Sequence, residues 1–127
     1  MSATAFFVTG TDTEVGKTYT TCALLYRARQ LGLSAAGLKP VAAGTDATGR
    51  NEDVEAIRAA ANVSLPERTL NTYLLAPPIA PHIAAREAGV EIRFAPIQAA
   101  LEAAYEARRT SRGLPLTYQV ILCYAKK

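Results

Sequence analysis

Short apolar runs alternate with helical patterns along this chain. Residues 3–9 are β-branched and aromatic with no polar alternation, as in a strand buried on both faces of a parallel sheet. Residues 17–31 form a helical stretch in which Cys22, Ala23, Leu24, Leu25, Ala28 and Leu31 are apolar. Gly32 follows where a helix commonly ends. Residues 34–38 make a second apolar run that stops at Lys39-Pro40. Strand, helix and strand in about forty residues predict a βαβ unit with a right-handed crossover.

The pattern then loosens. Gly44, Thr45, Asp46, Thr48 and Gly49 are turn formers, and residues 43–51 read as a loop. Asn51 is placed to cap a helix running to about residue 61, with Glu52, Asp53 and Glu55 in its first turn. Residues 62–81 carry Pro66, Pro77, Pro78 and Pro81, which predicts an irregular connection with a short extended piece at 72–75. Residues 81–87 predict one or two helical turns halted near Gly89. A helix is expected over 96–109, with proline at its first position and Ile97, Ala100, Leu101, Ala104 and Tyr105 on one face. Residues 117–124 are a last candidate strand. These elements predict one α/β domain over residues 1–127, a phosphate-loop parallel sheet with flanking helices.

Composition narrows the function classes. The chain has 127 residues, half of them hydrophobic and 20% charged, so a packed core is expected rather than disorder. The net charge of +3 is spread without a basic stripe interleaved with aromatics. That argues against nucleic acid as a partner and suits anionic small ligands. No apolar run approaches the ~20 residues of a membrane-spanning helix, so no membrane partner is expected. Cys22 and Cys123 are far apart and outside any C-x-x-C, which disfavours a zinc site or redox pair. The start enters a strand without a basic leader, so the expected location is the cytoplasm.

The chemistry concentrates at Phe6-Phe7-Val8-Thr9-Gly10-Thr11-Asp12-Thr13-Glu14-Val15-Gly16-Lys17-Thr18. An apolar strand, a glycine-bounded loop and a Gly-Lys-Thr opening a helix are the parts of a phosphate-binding loop. Backbone N–H groups at the helix start face an anion. Lys17 can neutralise outer phosphates, and the Thr18 hydroxyl can ligate Mg²⁺. Five residues separate Gly10 from Gly16, one more than in the common form. Glu14 reads either as a solvated charge or as a group facing the reaction centre. Lys39 ends the second strand, and ligands of open α/β sheets bind outside such ends. It could equally be a surface lysine with its stem along the strand. Asp53 reads either as a carboxylate serving the helix dipole or as a Mg²⁺ ligand. His82, the sole histidine, reads as a polar residue after a proline, since no nucleophile motif accompanies it.

Taken in order, these pieces resemble the dethiobiotin synthetase family. Val8 to Thr18 is similar to its phosphate loop, extra residue included. Gly37-Leu38-Lys39-Pro40-Val41-Ala42 resembles its second-strand motif, Arg50-Asn51-Glu52-Asp53 its magnesium-aspartate segment, and Pro81-His82-Ile83 a later piece. The similarity covers roughly residues 5 to 110. The resemblance implies ATP- and Mg²⁺-dependent closure of a ureido ring on 7,8-diaminononanoate with CO₂, giving dethiobiotin, ADP and phosphate. A carbamate forms on one amine, its oxygen attacks the γ-phosphate, and the second amine displaces phosphate. Carried onto this sequence, Glu14, Val15, Gly16, Lys17, Thr18, Tyr19 and Asp53 would contact ATP. Thr18 and Asp53 would ligate Mg²⁺, Lys39 would be catalytic, and Thr13 and Ala43 would lie at the substrate. The resemblance also implies a homodimer.

Two departures stand out. Ala43 occupies a position where the family has a substrate-contacting serine. The family's later Val-Glu-Gly-Ala-Gly-Gly motif, whose glutamate binds Mg²⁺, is absent from this sequence, and residues 111–127 match nothing in the family. The expectation is a truncated or frame-shifted synthetase, incomplete relative to its family. The alternatives are an inactive nucleotide-binding fragment and a partitioning-type P-loop ATPase.

Overall fold

The computed structural model describes residues 5–12, 14–107 and 118–123. In chain order the elements are β1 (Ala5–Val8), α1 (Lys17–Gln30), β2 (Ser34–Leu38), β3 (Val41–Ala43), α2 (Glu52–Ala60), α3 (Glu67–Leu70), β4 (Tyr73–Leu75), α4 (Pro81–Glu87), α5 (Phe94–Glu106) and β5 (Tyr118–Cys123). One sheet has the order β1-β5-β2 and the other pairs β3 with β4. All pairings are parallel.

A proline divides the extended run from β2 to β3. Pro40 has no N–H to give a ladder. The Lys39 N–H donates to the Leu70 carbonyl at 2.8 Å, and the Pro40 carbonyl accepts from the Tyr73 N–H at 2.8 Å. The chain thereby passes from β5 on one side to β4 on the other. Asn62 covers the outer edge of β2. Its Oδ1 accepts from the Ala35 N–H at 2.7 Å, and its Nδ2 donates to the Leu33 carbonyl at 2.9 Å. The N–H groups of Asn62 and Val63 both reach the Ala35 carbonyl. An edge occupied in this way cannot template another strand.

The core lies between β2 and the helices α1 and α2, where Leu25, Ala28, Ala35, Val54, Ile57 and Ala60 are buried together. Burying a side chain such as Ile57 contributes about 1.5–3 kcal/mol. Gly37 sets how closely the layers approach, since a Cβ there would stand 2.5 Å from Ile57 Cγ2 and 3.0 Å from Leu25 Cδ1. Arg29 on α1 donates from Nη1 to the Ala60 carbonyl at 3.1 Å, satisfying an acceptor at the end of α2. Cys22 packs half-buried against this cluster, as a small hydrophobe would.

Several expectations change. Residues 3–9 were expected to be buried on both faces, yet Phe7 is 60% exposed and Phe6 is also exposed. Among the described residues β1 is an edge strand with β5 as its one neighbour. The helix expected from residue 96 starts at Phe94, which puts Pro96 at its third position. Proline is tolerated there because first-turn N–H groups have no intrahelical acceptor. The expected helix end at Arg109 lies outside the described residues. β3 falls where residues 43–51 begin a loop, and α3 falls inside the proline-rich stretch; neither was predicted. Both are short and take their definition from distant partners: β3 from β4, and α3 in part from the Thr69 hydroxyl donating to the Ala100 carbonyl at 3.0 Å.

Candidate functional site

The loop after β1 is held by steric necessity. A Cβ on Gly10 would stand 2.7 Å from Val15 Cγ2 and 3.2 Å from Lys17 Cγ, so the loop folds tightly on itself. Gly16 is the N-cap of α1 with φ +97°, a left-handed value that glycine adopts without strain. Glu14 is left-handed as well, at φ +58°, and costs of order 1 kcal/mol there. Among the described residues no side chain caps α1, and its first turn holds no acid. Its leading N–H groups are therefore of the kind that binds an anion. The Lys17 ammonium donates to the Asp12 carbonyl across the loop. Thr18 is half-buried, Glu14 and Val15 are exposed, and Tyr19 is 86% exposed. Thr13 lies outside the described residues.

The second cluster sits beyond β2. The Lys39 ammonium donates to Asp53 Oδ2 in an ion pair whose side chains are 16% and 41% exposed. Backbone bonds fix Lys39: its N–H goes to the Leu70 carbonyl, and its carbonyl accepts from Asn71 Nδ2 at 2.7 Å. Asp53 belongs to the first turn of α2, which starts where Asn51 Oδ1 accepts from the Val54 N–H at 3.1 Å. The same Asn51 donates from Nδ2 to the carbonyls of Gly44 at 2.8 Å and Ala43 at 3.3 Å. So Lys39 and Asp53 are ion-paired, and Ala43, a third position expected at the site, is hydrogen-bonded to the Asn51 that precedes Asp53 by two residues.

Sheet register relates the two clusters. Val8 pairs with Cys123, and Leu38 pairs with Leu122 one residue earlier. Lys39 therefore follows β2 at the level where β1 ends. One strand intervenes, so the two carboxyl ends lie about 10 Å apart. The loop and Lys39 thus share one rim of the sheet.

Among the described residues no group of three or more His, Cys, Asp or Glu side chains could hold a metal. The donor set still fits Mg²⁺, which uses one or two carboxylates and completes its shell with phosphate oxygens and water. Asp53 is such a carboxylate, and it already attracts a cation in Lys39. His82 is exposed near the start of α4 and joins neither cluster. Asp46 closes the intervening loop. The Thr48 hydroxyl, the Arg50 N–H and the Thr48 N–H all donate to its carboxylate, holding its pKa below the ordinary range, the hydroxyl most strongly. A cavity of about 200 Å³ bordered by Gly37, Arg58, Asn62 and Leu70 touches the second cluster at Leu70, whose carbonyl accepts from the Lys39 N–H.

Sequence reasoning missed Asn71 and the donor arm of Asn51. The cap at Asn51 was legible from the acids after it. Nothing local marks Asn71, because its acceptor at Lys39 is 32 residues away.

A glycine-bounded loop leading into a helix whose N-cap is a glycine, with Lys39 on the same rim, defines a P-loop α/β protein. A family described as an AAA domain matches residues 4–108, and the chain belongs to that family. It is 56% identical over 98 residues to the ATP-dependent dethiobiotin synthetase BioD of Ralstonia nicotianae, covering 75% of this chain and 43% of that relative. It is 52% identical over 101 residues to the protein of the same name from Aromatoleum aromaticum, covering 77% and 45%. With the Nitrosospira multiformis protein it shares 55% over 87 residues, 68% and 38% of the two lengths. The chain thus spans less than half the length of these relatives, and it is similar to a dethiobiotin synthetase N-terminal region.

Proposed function

We propose that this chain carries the nucleotide half of a dethiobiotin synthase site. Glu14, Val15, Gly16, Lys17, Thr18 and Tyr19 contact ATP together with Asp53. Thr18 and Asp53 are the residues that would hold Mg²⁺, which supplies charge neutralisation at the phosphates when bound. Lys39 stabilises the carbamate and the transferring phosphoryl group, and Thr13 and Ala43 lie at 7,8-diaminononanoate. Phosphoryl chemistry of this kind needs positioning and charge more than covalent help, and Lys39 and Lys17 supply both. The proposal includes a cytoplasmic homodimer. One observation carries the reading: the Lys39–Asp53 ion pair on the rim that also bears the loop.

Calorimetric titration with Mg²⁺·ATP tests the nucleotide half. Heat that disappears in Lys17→Ala is expected, and no heat at millimolar nucleotide would sink the proposal. An assay with 7,8-diaminononanoate and bicarbonate tests ring closure through dethiobiotin formation. A second reading, nucleotide binding without ring closure, is favoured by Ala43, whose methyl group offers no hydrogen bond to an amine substrate. Binding heat without product would select it.

A further inference from the structure

We infer that Asn51 is a positioning residue that couples the end of β3 to the Asp53 carboxylate; this rests on the proposed reading of Asp53 as a cation ligand. Capping α2 requires an acceptor oxygen, which Ser, Thr or Asp would supply equally well. Asn51 adds the opposite function on the same planar group, since its amide nitrogen donates to Gly44 and Ala43 while its oxygen accepts from Val54. At 9% exposure the side chain has little recourse to water, so both ends must be matched within the protein.

The strand side of this clamp is itself fixed. The Gly44 N–H donates to the Leu75 carbonyl at 2.9 Å and the Thr45 N–H to the Ala76 carbonyl at 3.1 Å. The Asp46 N–H donates to the Arg50 carbonyl at 2.9 Å, which folds the loop so that residue 51 returns beside residue 43. Asp53 follows two residues later and holds Lys39. Hydrogen bonds therefore run from the end of β4 through Gly44 to Asn51, and the first turn of α2 carries on from there to Asp53 and its ion pair with Lys39. The amide of Asn51 joins the position expected at the amine substrate to the position expected at the cation. Asn51 acts on the carboxylate through the first turn of α2, which it starts and which carries Asp53 two residues later.

The test is a titration of the full chain with Mn²⁺ in the presence of ADP, followed by electron paramagnetic resonance. Asn51→Ser and Asn51→Thr retain a capping oxygen and remove the separate amide NH₂ that reaches Gly44 and Ala43. Both are expected to weaken Mn²⁺ binding severalfold, with α2 retained by circular dichroism. Wild-type affinity in either folded variant overturns the inference. Asp53→Asn separates the layers: if it binds Mn²⁺ as the wild type does, the underlying reading of Asp53 fails and the inference falls with it. Hydrogen exchange on the unmutated chain requires no variant to fold. The Gly44 and Thr45 amides should gain protection when Mn²⁺ and ADP are added, and unchanged protection would count decisively against the coupling.

Discussion

The N-termini of α1 and α2 face the same physical problem and solve it in opposite ways. Each helix begins with N–H groups that have no intrahelical acceptor. At α2 the protein answers from within: Asn51 caps the end, and Glu52, Asp53 and Glu55 fill the first turn. At α1 the N-cap is Gly16, and among the described residues no side chain caps this end and no acid lies in the first turn. The α2 end is closed and aims one carboxylate at Lys39. The α1 end presents its donors, with Lys17 folded across the loop. The difference shows how one rim can combine a pre-formed charge pair with an open anion seat.

The contrast can be broken from the α2 side first. Ile57 has no exposure and packs against Leu25 and the β2 backbone, so Ile57→Ala should cost about 2–5 kcal/mol and unfold much of the chain, as read by denaturant melts. Next comes the α1 side. Lys17→Ala removes an ammonium that donates to the Asp12 carbonyl of its own loop. Its stability should barely change, while nucleotide affinity should drop roughly 10- to 100-fold in calorimetry. Asn71→Ala should cost about 1–2 kcal/mol, since it strips the donor from the Lys39 carbonyl, and urea melts would read this.

The smallest effect is acid dependence at Asp46. Its pKa is lowered in the fold by the Thr48 hydroxyl and neighbouring N–H groups. Its stabilising contribution is thus present above the ordinary value of 3.8 and is lost as pH falls through the lowered pKa. Asp46→Asn should flatten that acid limb in melts recorded against pH. An unchanged limb would show that the loop closes by its backbone bonds alone.

Much of this rim was legible in residues 8–18, 34–40 and 51–53, because glycine spacing, an apolar run ending in Lys-Pro and a cap followed by acids are local signals. β2 and α4 fall where the pattern placed them, and Asn51 caps as expected. β3 did not show, since its three residues gain strand character by pairing Val41 with Tyr73. The exposure of Phe6 and Phe7 did not show either, because an edge strand and a central strand can share one apolar pattern.

The loop, the helix that follows it and the family to which the chain belongs were readable from local residues, because each depends on neighbours a few positions apart. Tertiary structure alone decided that Lys39 meets Asp53, that Asn71 anchors Lys39 and that β5 lies between β1 and β2. Those contacts join positions far apart in the chain, and burial and hydrogen-bond satisfaction select them only once the layers have packed.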